Sequence, residues 1–169
     1  MADKTREKLT KTAVFSAGCF WGVEEILRHI PGVMETTVGY CGGTTTDPTY
    51  REVCLGTTGH AEAVRIRFDP AIVSYETLLD YFFRLHDPTT VNRQGNDIGS
   101  QYRSVIFCQN SAQKAIAEAK KQVVDASGKW KNKVVTEIAD EASFYPAEDY
   151  HQNYLQKNPG GYHCHYLRE

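Results

Sequence analysis

A thiol followed by two aromatic side chains is the part of this chain best suited to chemistry. Residues 18–22 read Gly-Cys-Phe-Trp-Gly and lie between a β-rich run over 12–17 and the helical pattern that follows. The first turn of a helix leaves N–H groups unpaired and carries partial positive charge. A thiolate is stabilised there, so we expect the pKa of Cys19 to fall below its usual value of about 8.5. Phe20 and Trp21 are suited to form an apolar wall, which predicts a nucleophile beside a hydrophobic substrate group.

A carboxyl group inside an otherwise apolar strand pattern is the second candidate. Glu62 lies near the start of a predicted strand over 61–68, directly after a Gly-His pair. A carboxyl group in an apolar pocket has a raised pKa, stays protonated at neutral pH and can donate its proton. Taken alone, a glutamate in such a pattern is more often a solvated carboxylate at a sheet edge. Near Cys19 it would be one of two potential anions, so their titrations should be coupled.

Three more polar side chains lie between the predicted strands. Asp97 belongs to a long segment over 89–101 that contains glycine and asparagine, and Tyr102 follows it directly. Segments of that length in a compact domain are usually functional. Tyr50 lies in a predicted short helix over 48–54. Without further context, each of these side chains is also compatible with a surface or packing role.

The C-terminal tail carries a cysteine between two histidines. Cys164 follows a Gly-Gly pair, and a thiol on such a tail can move to meet an oxidised partner. His163 and His165 flank it, with His151 upstream, so a metal site is the alternative interpretation. The paired ligand spacings of zinc sites are absent, which argues against metal.

Bulk composition excludes several classes of protein. The chain has 169 residues, 41% of them hydrophobic and 24% charged, with a net charge of −2. This balance predicts one catalytic domain over 1–169, with a flexible N-terminus over 1–11 and a mobile tail over 158–169. It offers no electrostatic attraction for nucleic acid or an anionic membrane, and no run of residues is long and apolar enough to span one. Five cysteines without a Cys-x-x-Cys pair or a secretory signal favour a cytoplasmic location.

Strand and helix patterns alternate along the chain. Predicted strands cover 12–17, 33–40, 61–68, 103–108 and 133–139, and predicted helices cover 23–30, 48–54, 74–86, 111–126 and 146–157. Strand–helix–strand units of this kind pack helices on one sheet. We therefore predict an α+β fold, a two-layer ferredoxin-like sandwich with helices on a mixed β-sheet and an irregular C-terminal extension.

Four separated motifs, in order, resemble those of the A-type peptide methionine sulfoxide reductases. They are Gly-Cys-Phe-Trp-Gly at 18–22, Gly-x-x-Gly-His-x-Glu at 56–62, the loop that ends at 102, and Asn-Pro-x-Gly-Tyr at 158–162. The last motif departs from the usual pattern, because His163 is inserted before the cysteine. The resemblance covers nearly the whole chain and implies reduction of methionine-S-sulfoxide, free or in peptides and proteins.

The resemblance implies a role for each catalytic candidate. Cys19 would attack the sulfoxide sulfur, and Glu62 would be the acid that protonates the sulfoxide oxygen. Tyr50 and Tyr102 would donate hydrogen bonds to that oxygen, while Asp97 would act through neighbouring contacts or bound water. Attack leaves a sulfenic acid on the cysteine, a state from which a second thiol restores the enzyme.

Substrate binding and recycling complete the expected cycle. Phe20 and Trp21 would hold the S-methyl group, and Cys164 would form a disulfide that thioredoxin, or dithiothreitol in the laboratory, reopens. No metal or organic cofactor is expected, and we expect a monomer. Cys41 or Cys54 could replace Cys164 as the resolving thiol, although structural roles are favoured for both and for Cys108.

Two other functions fit parts of the pattern. A cysteine hydrolase or acyltransferase would need a histidine base for Cys19, and His60 or His86 would have to supply it. A redox-sensing or thiol-buffering module without turnover would need only the reactive thiol.

Overall fold

A mixed sheet with helices packed on it forms the body of the protein. The computed structural model describes residues 9–162 and 165–169. Within that part of the chain the strands are β1 Lys11–Ala17, β2 Val33–Cys41, β3 Ala61–Phe68, β4 Arg93–Gln94, β5 Asp97–Ile98, β6 Ser104–Cys108, β7 Glu137–Asp140 and β8 Phe144–Pro146. The α-helices there are α1 Phe20–Leu27, α2 Tyr50–Cys54, α3 Tyr75–Leu85, α4 Ser111–Ala126 and α5 Tyr154–Lys157.

The strand order places β1 and β3 at the centre of the sheet. Six strands run in the order β7-β6-β1-β3-β2-β8, and β4 and β5 form a separate two-stranded ribbon. Only the β6–β7 pairing is parallel among the described strands. Because β3 lies between β1 and β2, α1 crosses over β3 to connect them. The predicted α+β class and mixed sheet are confirmed.

Each sheet face has its own apolar cluster, because side chains alternate along a strand. On one face, Phe15 of β1 and Ile66 of β3 pack against α1 and α3, whose buried residues include Leu27 and Phe82. The opposite face carries a smaller cluster that consists of Val14, Cys41, Ala63, Val105 and Phe107. Both central strands are therefore packed on their two faces, up to the point where β1 leads into α1. No helix in residues 9–162 or 165–169 is long and apolar enough to cross a membrane.

The prediction of one helix over 146–157 is wrong. A short 3-10 turn, Asp149–His151, and the four-residue α5 are separated by Asn153, whose φ of 53° is left-handed. The Gln152 side chain pairs with both the N–H and the carbonyl of Val38, at 2.8 and 2.9 Å. Long-range hydrogen bonds to a sheet strand thus replace the local bonds of a helix.

Two other sequence predictions need smaller corrections. The predicted strand over 133–139 is shorter and later, as β7 spans Glu137–Asp140. The segment over 89–101, predicted as a loop, contains the β4–β5 ribbon, which Gly95 closes with a φ of +57°.

Candidate active site

The structure places Cys19 where β1 ends and α1 begins. Cys19 occupies the N-cap position of α1 with φ −54° and ψ 120°, and only 7% of its surface is exposed. Gly18 has a φ of +96°, a conformation that favours glycine, and this turn directs the chain from the sheet into the helix. The thiol therefore sits at the positive end of the α1 dipole, as the sequence predicted.

Glu62 lies directly under the start of α1. Its side chain is 1% exposed, and its Oε1 accepts the backbone N–H of Phe20 at 3.1 Å. That N–H is in the first turn of α1, where no carbonyl of the helix can pair with it. Burial, with a smaller contribution from the charge of Asp97, raises the pKa of Glu62 to about 8 against the opposing effect of the Phe20 hydrogen bond. The carboxyl group is thus a proton donor at neutral pH.

Two phenols approach the same region from separate elements. Tyr50 opens α2, and a capping box between Thr49 and Glu52 fixes that helix start. Tyr102 ends the 3-10 turn Ser100–Tyr102. Burial, and then the charge of Glu62, raises the pKa of both tyrosines, so each remains a hydrogen-bond donor.

Electrostatic contacts join these side chains into one site. The pKa of Tyr102 is raised by burial first and then by nearby negative charge, in the order Glu62, Cys54, Asp97 and Cys19. The exposed Cys54 also contributes to the raised pKa of Tyr50, after burial and the charge of Glu62. The other four predicted catalytic residues, Cys19, Tyr50, Glu62 and Asp97, thus all lie within electrostatic range of Tyr102.

Asp97 connects this space to the C-terminal segment. It lies in β5, and both of its carboxylate oxygens are 3.2 Å from the Tyr162 hydroxyl, which donates to them. Cys164, the predicted resolving residue, and His163 lie outside the described residues.

An aromatic wall borders the nucleophile. Phe20 is buried, and its ring lies 6.4 Å from that of Tyr50 in a stacked arrangement. The Trp21 ring stacks on Tyr154 with centroids 3.9 Å apart and an interplanar angle of 11°. Both predicted substrate-binding side chains are therefore held by other rings, in fixed orientations.

His151 is a site residue that the sequence reasoning did not assign to this function. Its Nδ1 accepts the Trp21 indole N–H at 3.0 Å, so in the neutral ring Nε2 carries the proton. The side chain is 1% exposed, packs against Phe20 and Tyr50, and has a pKa lowered by burial. No acceptor within the described ranges reaches its buried Nε2. The Nδ1 hydrogen bond fixes the orientation of the Trp21 indole in the aromatic wall.

Glu148 is the second residue that the sequence analysis missed. Its Oε1 accepts the Tyr40 hydroxyl at 2.8 Å, and its Oε2 accepts the backbone N–H of Tyr50 at 3.0 Å. One carboxylate thereby fixes the start of α2 against β2. The only local signal was a polar, aromatic-rich stretch over 148–154 without a regular apolar period.

Neither histidine needed for a cysteine hydrolase is available as a base. His60 accepts the Gly43 N–H at 2.9 Å and donates to the Thr45 carbonyl at 2.7 Å. His86 pairs with the Phe82 carbonyl and the Ser104 hydroxyl, and burial lowers its pKa to about 3. Both rings hold loops and helix ends in place.

The metal alternative gains no support from the described histidines. His151 is bonded to Trp21, and the Nε2 of His165 is 2.6 Å from the Ala17 carbonyl. No group of three metal-ligating side chains occurs among residues 9–162 and 165–169. Of the other thiols, Cys41 and Cys108 are buried, and burial raises the pKa of Cys41 to about 11.

Together, a buried thiol at a helix start, a protonated carboxyl group and two phenols on an α+β scaffold define an enzyme of thiol redox chemistry. Residues 11–169 match the family model described as peptide methionine sulfoxide reductase. The chain belongs to that family, as its motifs predicted, and is an enzyme.

Relatives from archaea and a yeast align over most of their length. A peptide methionine sulfoxide reductase MsrA of Methanoculleus marisnigri is 56% identical over 155 residues, which cover 92% of this chain and 94% of the relative. One from Methanosarcina mazei is 60% identical over 86% of this chain and 69% of its own. A probable peptide methionine sulfoxide reductase of Schizosaccharomyces pombe is 51% identical over 92% and 95%.

Solved structures share the fold. Mxr1 from Saccharomyces cerevisiae in reduced form superposes with a TM-score of 0.86 at 40% identity and covers 95% of this chain and 93% of its own. Mxr1 in complex with Trx2 superposes with a TM-score of 0.64 at 28% identity, over 98% and 97%.

Proposed function

We propose that this enzyme reduces methionine-S-sulfoxide, free or in peptides and proteins, to methionine, and thereby repairs oxidised proteins. The observation that carries the proposal is the buried carboxyl group of Glu62, which accepts the Phe20 N–H at the helix start where Cys19 is the N-cap residue. A sulfoxide sulfur is a poor electrophile until its oxygen is protonated. Reduction therefore needs a thiol that attacks the sulfur and an acid that protonates the oxygen. One helix start supplies both groups.

In the first step the Cys19 sulfur bonds to the sulfoxide sulfur as Glu62 gives its proton to the oxygen. Transfer of that oxygen to the cysteine sulfur breaks the new S–S bond and the S–O bond of the sulfoxide, which yields Cys19 sulfenic acid and releases methionine. The thiol proton replaces the one that Glu62 gave. The cysteine is oxidised by two electrons and the sulfoxide is reduced by two. Tyr50 and Tyr102, kept as phenols chiefly by burial, donate to the sulfoxide oxygen, which carries partial negative charge before Glu62 protonates it.

Substrate recognition uses the aromatic wall. Phe20 and Trp21 accept the S-methyl group, which is the only fully apolar end of the sulfoxide. His151 orients the Trp21 ring for this contact, because its Nδ1 accepts the indole N–H. Asp97 borders the polar side, where it bonds to Tyr162.

In the second step the Cys164 thiol condenses with the sulfenic acid to a Cys19–Cys164 disulfide and water. A thioredoxin dithiol then exchanges with this disulfide and returns both cysteines to thiols. The complex of the yeast relative with Trx2 supports this reductant. The cycle consumes only thiol electrons, so the proposal includes no metal or organic cofactor.

A single-turnover experiment tests both steps. One equivalent of sulfoxide without reductant should give one methionine per protein and one Cys19–Cys164 disulfide, identified by peptide mass spectrometry after alkylation. Cys19→Ser should release no methionine. Cys164→Ser should release one methionine and then fail to cycle with thioredoxin. A Cys19–Cys54 disulfide in wild type, or full thioredoxin turnover by Cys164→Ser, would refute the resolving role.

The proposal also covers properties of the whole chain. The β1-α1-β2-β3-α3-β6 order, with both helices packed on one face of the sheet, supports a ferredoxin-like sandwich as a single catalytic domain. Free thiols at Cys41, Cys54 and Cys108 support a reducing, cytoplasmic location. We also propose that the enzyme is a monomer. Separate assays on the two sulfoxide epimers test the S preference.

A further inference from the structure

The residue after the predicted resolving cysteine is buried against the start of α1. His165 is only 5% exposed, and its Nε2–H donates to the carbonyl of Ala17 at 2.6 Å. Ala17 is the last residue of β1, two positions before Cys19. A histidine from the far end of the chain therefore attaches to the strand that delivers the nucleophile.

Two glycines form the seat of this imidazole. A methyl group at Gly22 would lie 2.5 Å from His165 Nδ1, and one at Gly18 would lie 3.1 Å from Nε2. Gly22 is in the second half of the first turn of α1 and has no left-handed backbone angle. Glycine there costs roughly 0.5–1 kcal/mol of helix stability relative to alanine. The close approach of His165 explains why glycine occupies position 22, since helix formation alone would favour another residue.

A second attachment follows three residues later. The N–H of Arg168 donates to the Arg84 carbonyl at 2.9 Å, and the Arg84 Nε–H donates to the Arg168 carbonyl at 2.6 Å. The Arg168 guanidinium also lies over the Trp130 ring, 5.6 Å from its centroid. On the other side of 163–164, Tyr162 is bonded to Asp97. The chain is thus attached to the protein body both before and after those two residues.

We infer that His165 is a positioning residue for the disulfide-forming step. Seated on Gly18 and Gly22, it holds the chain directly after residue 164 at the start of α1, next to Cys19. The inference rests on the proposed role of Cys164. In that step the Cys164 sulfur bonds to the Cys19 sulfur, the S–OH bond breaks, and hydroxide leaves as water with the thiol proton. A disulfide requires Cα atoms about 4.4–6.8 Å apart, so release of the tail slows this step without a change in the first.

Rapid-quench kinetics on His165→Ala test the inference. Methionine release after one equivalent of sulfoxide should stay within about twofold of wild type, while disulfide formation slows on the order of 10- to 100-fold, since small displacements of reacting groups cost that much. His165→Gln retains a donor for the Ala17 carbonyl and should recover part of the rate. His29→Ala, at an exposed histidine on the turn after α1, is the matched control and should change neither step.

Gly22→Ala gives an independent test through the seat. Alanine favours helix, which offsets part of the stability lost when the added methyl group displaces His165, and this displacement should slow disulfide formation. In a His165→Ala background the same substitution should cost nothing further. Equal slowing by Gly22→Ala in both backgrounds would overturn the role of His165, as would unchanged disulfide formation or an equally slowed first step in His165→Ala.

Failure of this inference and failure of the proposed function are distinguishable. If Cys164→Ser still forms an intramolecular disulfide at the wild-type rate, the resolving assignment fails whatever the histidine variants do. If Cys164→Ser blocks the disulfide but His165→Ala does not slow it, only the positioning role fails.

Discussion

Glu62 performs two roles with one side chain. Its Oε1 accepts the Phe20 N–H, and the carboxyl group keeps its own proton at neutral pH because it is buried. The hydrogen bond alone would lower the pKa, so desolvation is the larger effect. A glutamine has nearly the same shape and can accept the same N–H, but it cannot give up a proton as an acid.

Glu62→Gln is therefore expected to fold and to lose the acid. The first step should slow on the order of 10²- to 10⁴-fold, the usual contribution of general acid catalysis. In wild type the rate should fall as pH rises through about 8, where Glu62 loses its proton, and this fall should be absent in the variant. Rapid-quench methionine release against pH measures both effects.

Glu35→Gln is the matched control for that substitution, because Glu35 is an exposed strand residue that pairs with Arg67 at 2.9 Å. It should keep the wild-type pH profile. A Glu62→Gln enzyme with the wild-type rate and the same fall near pH 8 would show that another group is the acid.

His151 is expected to affect substrate affinity more than the chemical step. His151→Phe keeps an aromatic ring against Tyr50 but removes the Nδ1 acceptor that orients the Trp21 indole. Loss of one such hydrogen bond costs about 1–3 kcal/mol, so KM should rise roughly tenfold while kcat changes little. Steady-state kinetics with a sulfoxide peptide check this. A fall in kcat at unchanged KM would place His151 in the chemistry instead.

At the scale of elements, α2 and α3 each begin with a side-chain cap in the first turn. Thr49 caps α2 and Ser74 caps α3 with the same kind of bond, each accepting a backbone N–H. Of these two helices, only α2 carries a site residue, Tyr50, and α2 is just five residues long. Loss of the cap should therefore reduce stability in both helices, but it should affect catalysis only in α2.

Thr49→Ala and Ser74→Ala form a matched pair for that argument. Each should lower the free energy of unfolding by about 1 kcal/mol, the usual effect of losing an N-cap. Only Thr49→Ala should also slow the first step, because it loosens Tyr50. Urea titration and single-turnover kinetics on both variants separate the effects. Equal losses of activity would contradict the specific role of α2.

Local sequence signals predicted the elements that carry local bonds. Glycines around Cys19, the apolar alternation around Glu62 and the Ser74 cap each specify structure through nearby residues, and all were predicted. Glu148 and His151 were missed because their partners lie on β2, α2 and α1, over 90 residues away. The same physics makes the predicted helix over 146–157 wrong, since its polar side chains bond to distant strands.

At the scale of the whole molecule, the protonated Glu62 should reduce stability as pH rises. Its pKa is about 8 in the folded protein and 4.5 ordinarily. Below about pH 4.5 both states hold the proton and the residue has no effect. Between these values the unfolded chain releases a proton that the folded protein keeps, so folding is disfavoured progressively, and the full cost is present above about pH 8.

Glu62→Gln should accordingly become more stable than wild type as pH rises. The difference in unfolding free energy should grow by about 3–5 kcal/mol between about pH 4.5 and about pH 8, at 1.36 kcal/mol per pKa unit. Urea titrations of both proteins across this range measure it. Other groups titrate in both proteins and cancel, so a difference independent of pH would mean that Glu62 is ionised in the folded state.

The attachment of the C-terminal segment has a consequence for synthesis. Glu148, His151 and His165 complete a site whose nucleophile precedes them in the chain, and protein chains emerge from the ribosome N-terminus first. While the chain is being translated, Cys19 and Glu62 can already lie on a partly formed sheet, but the backbone N–H of Tyr50, the Trp21 indole and the seat on Gly22 lack their partners. The nascent polypeptide therefore carries an immature thiol centre, which is completed only when the segment with Glu148, His151 and His165 has been released.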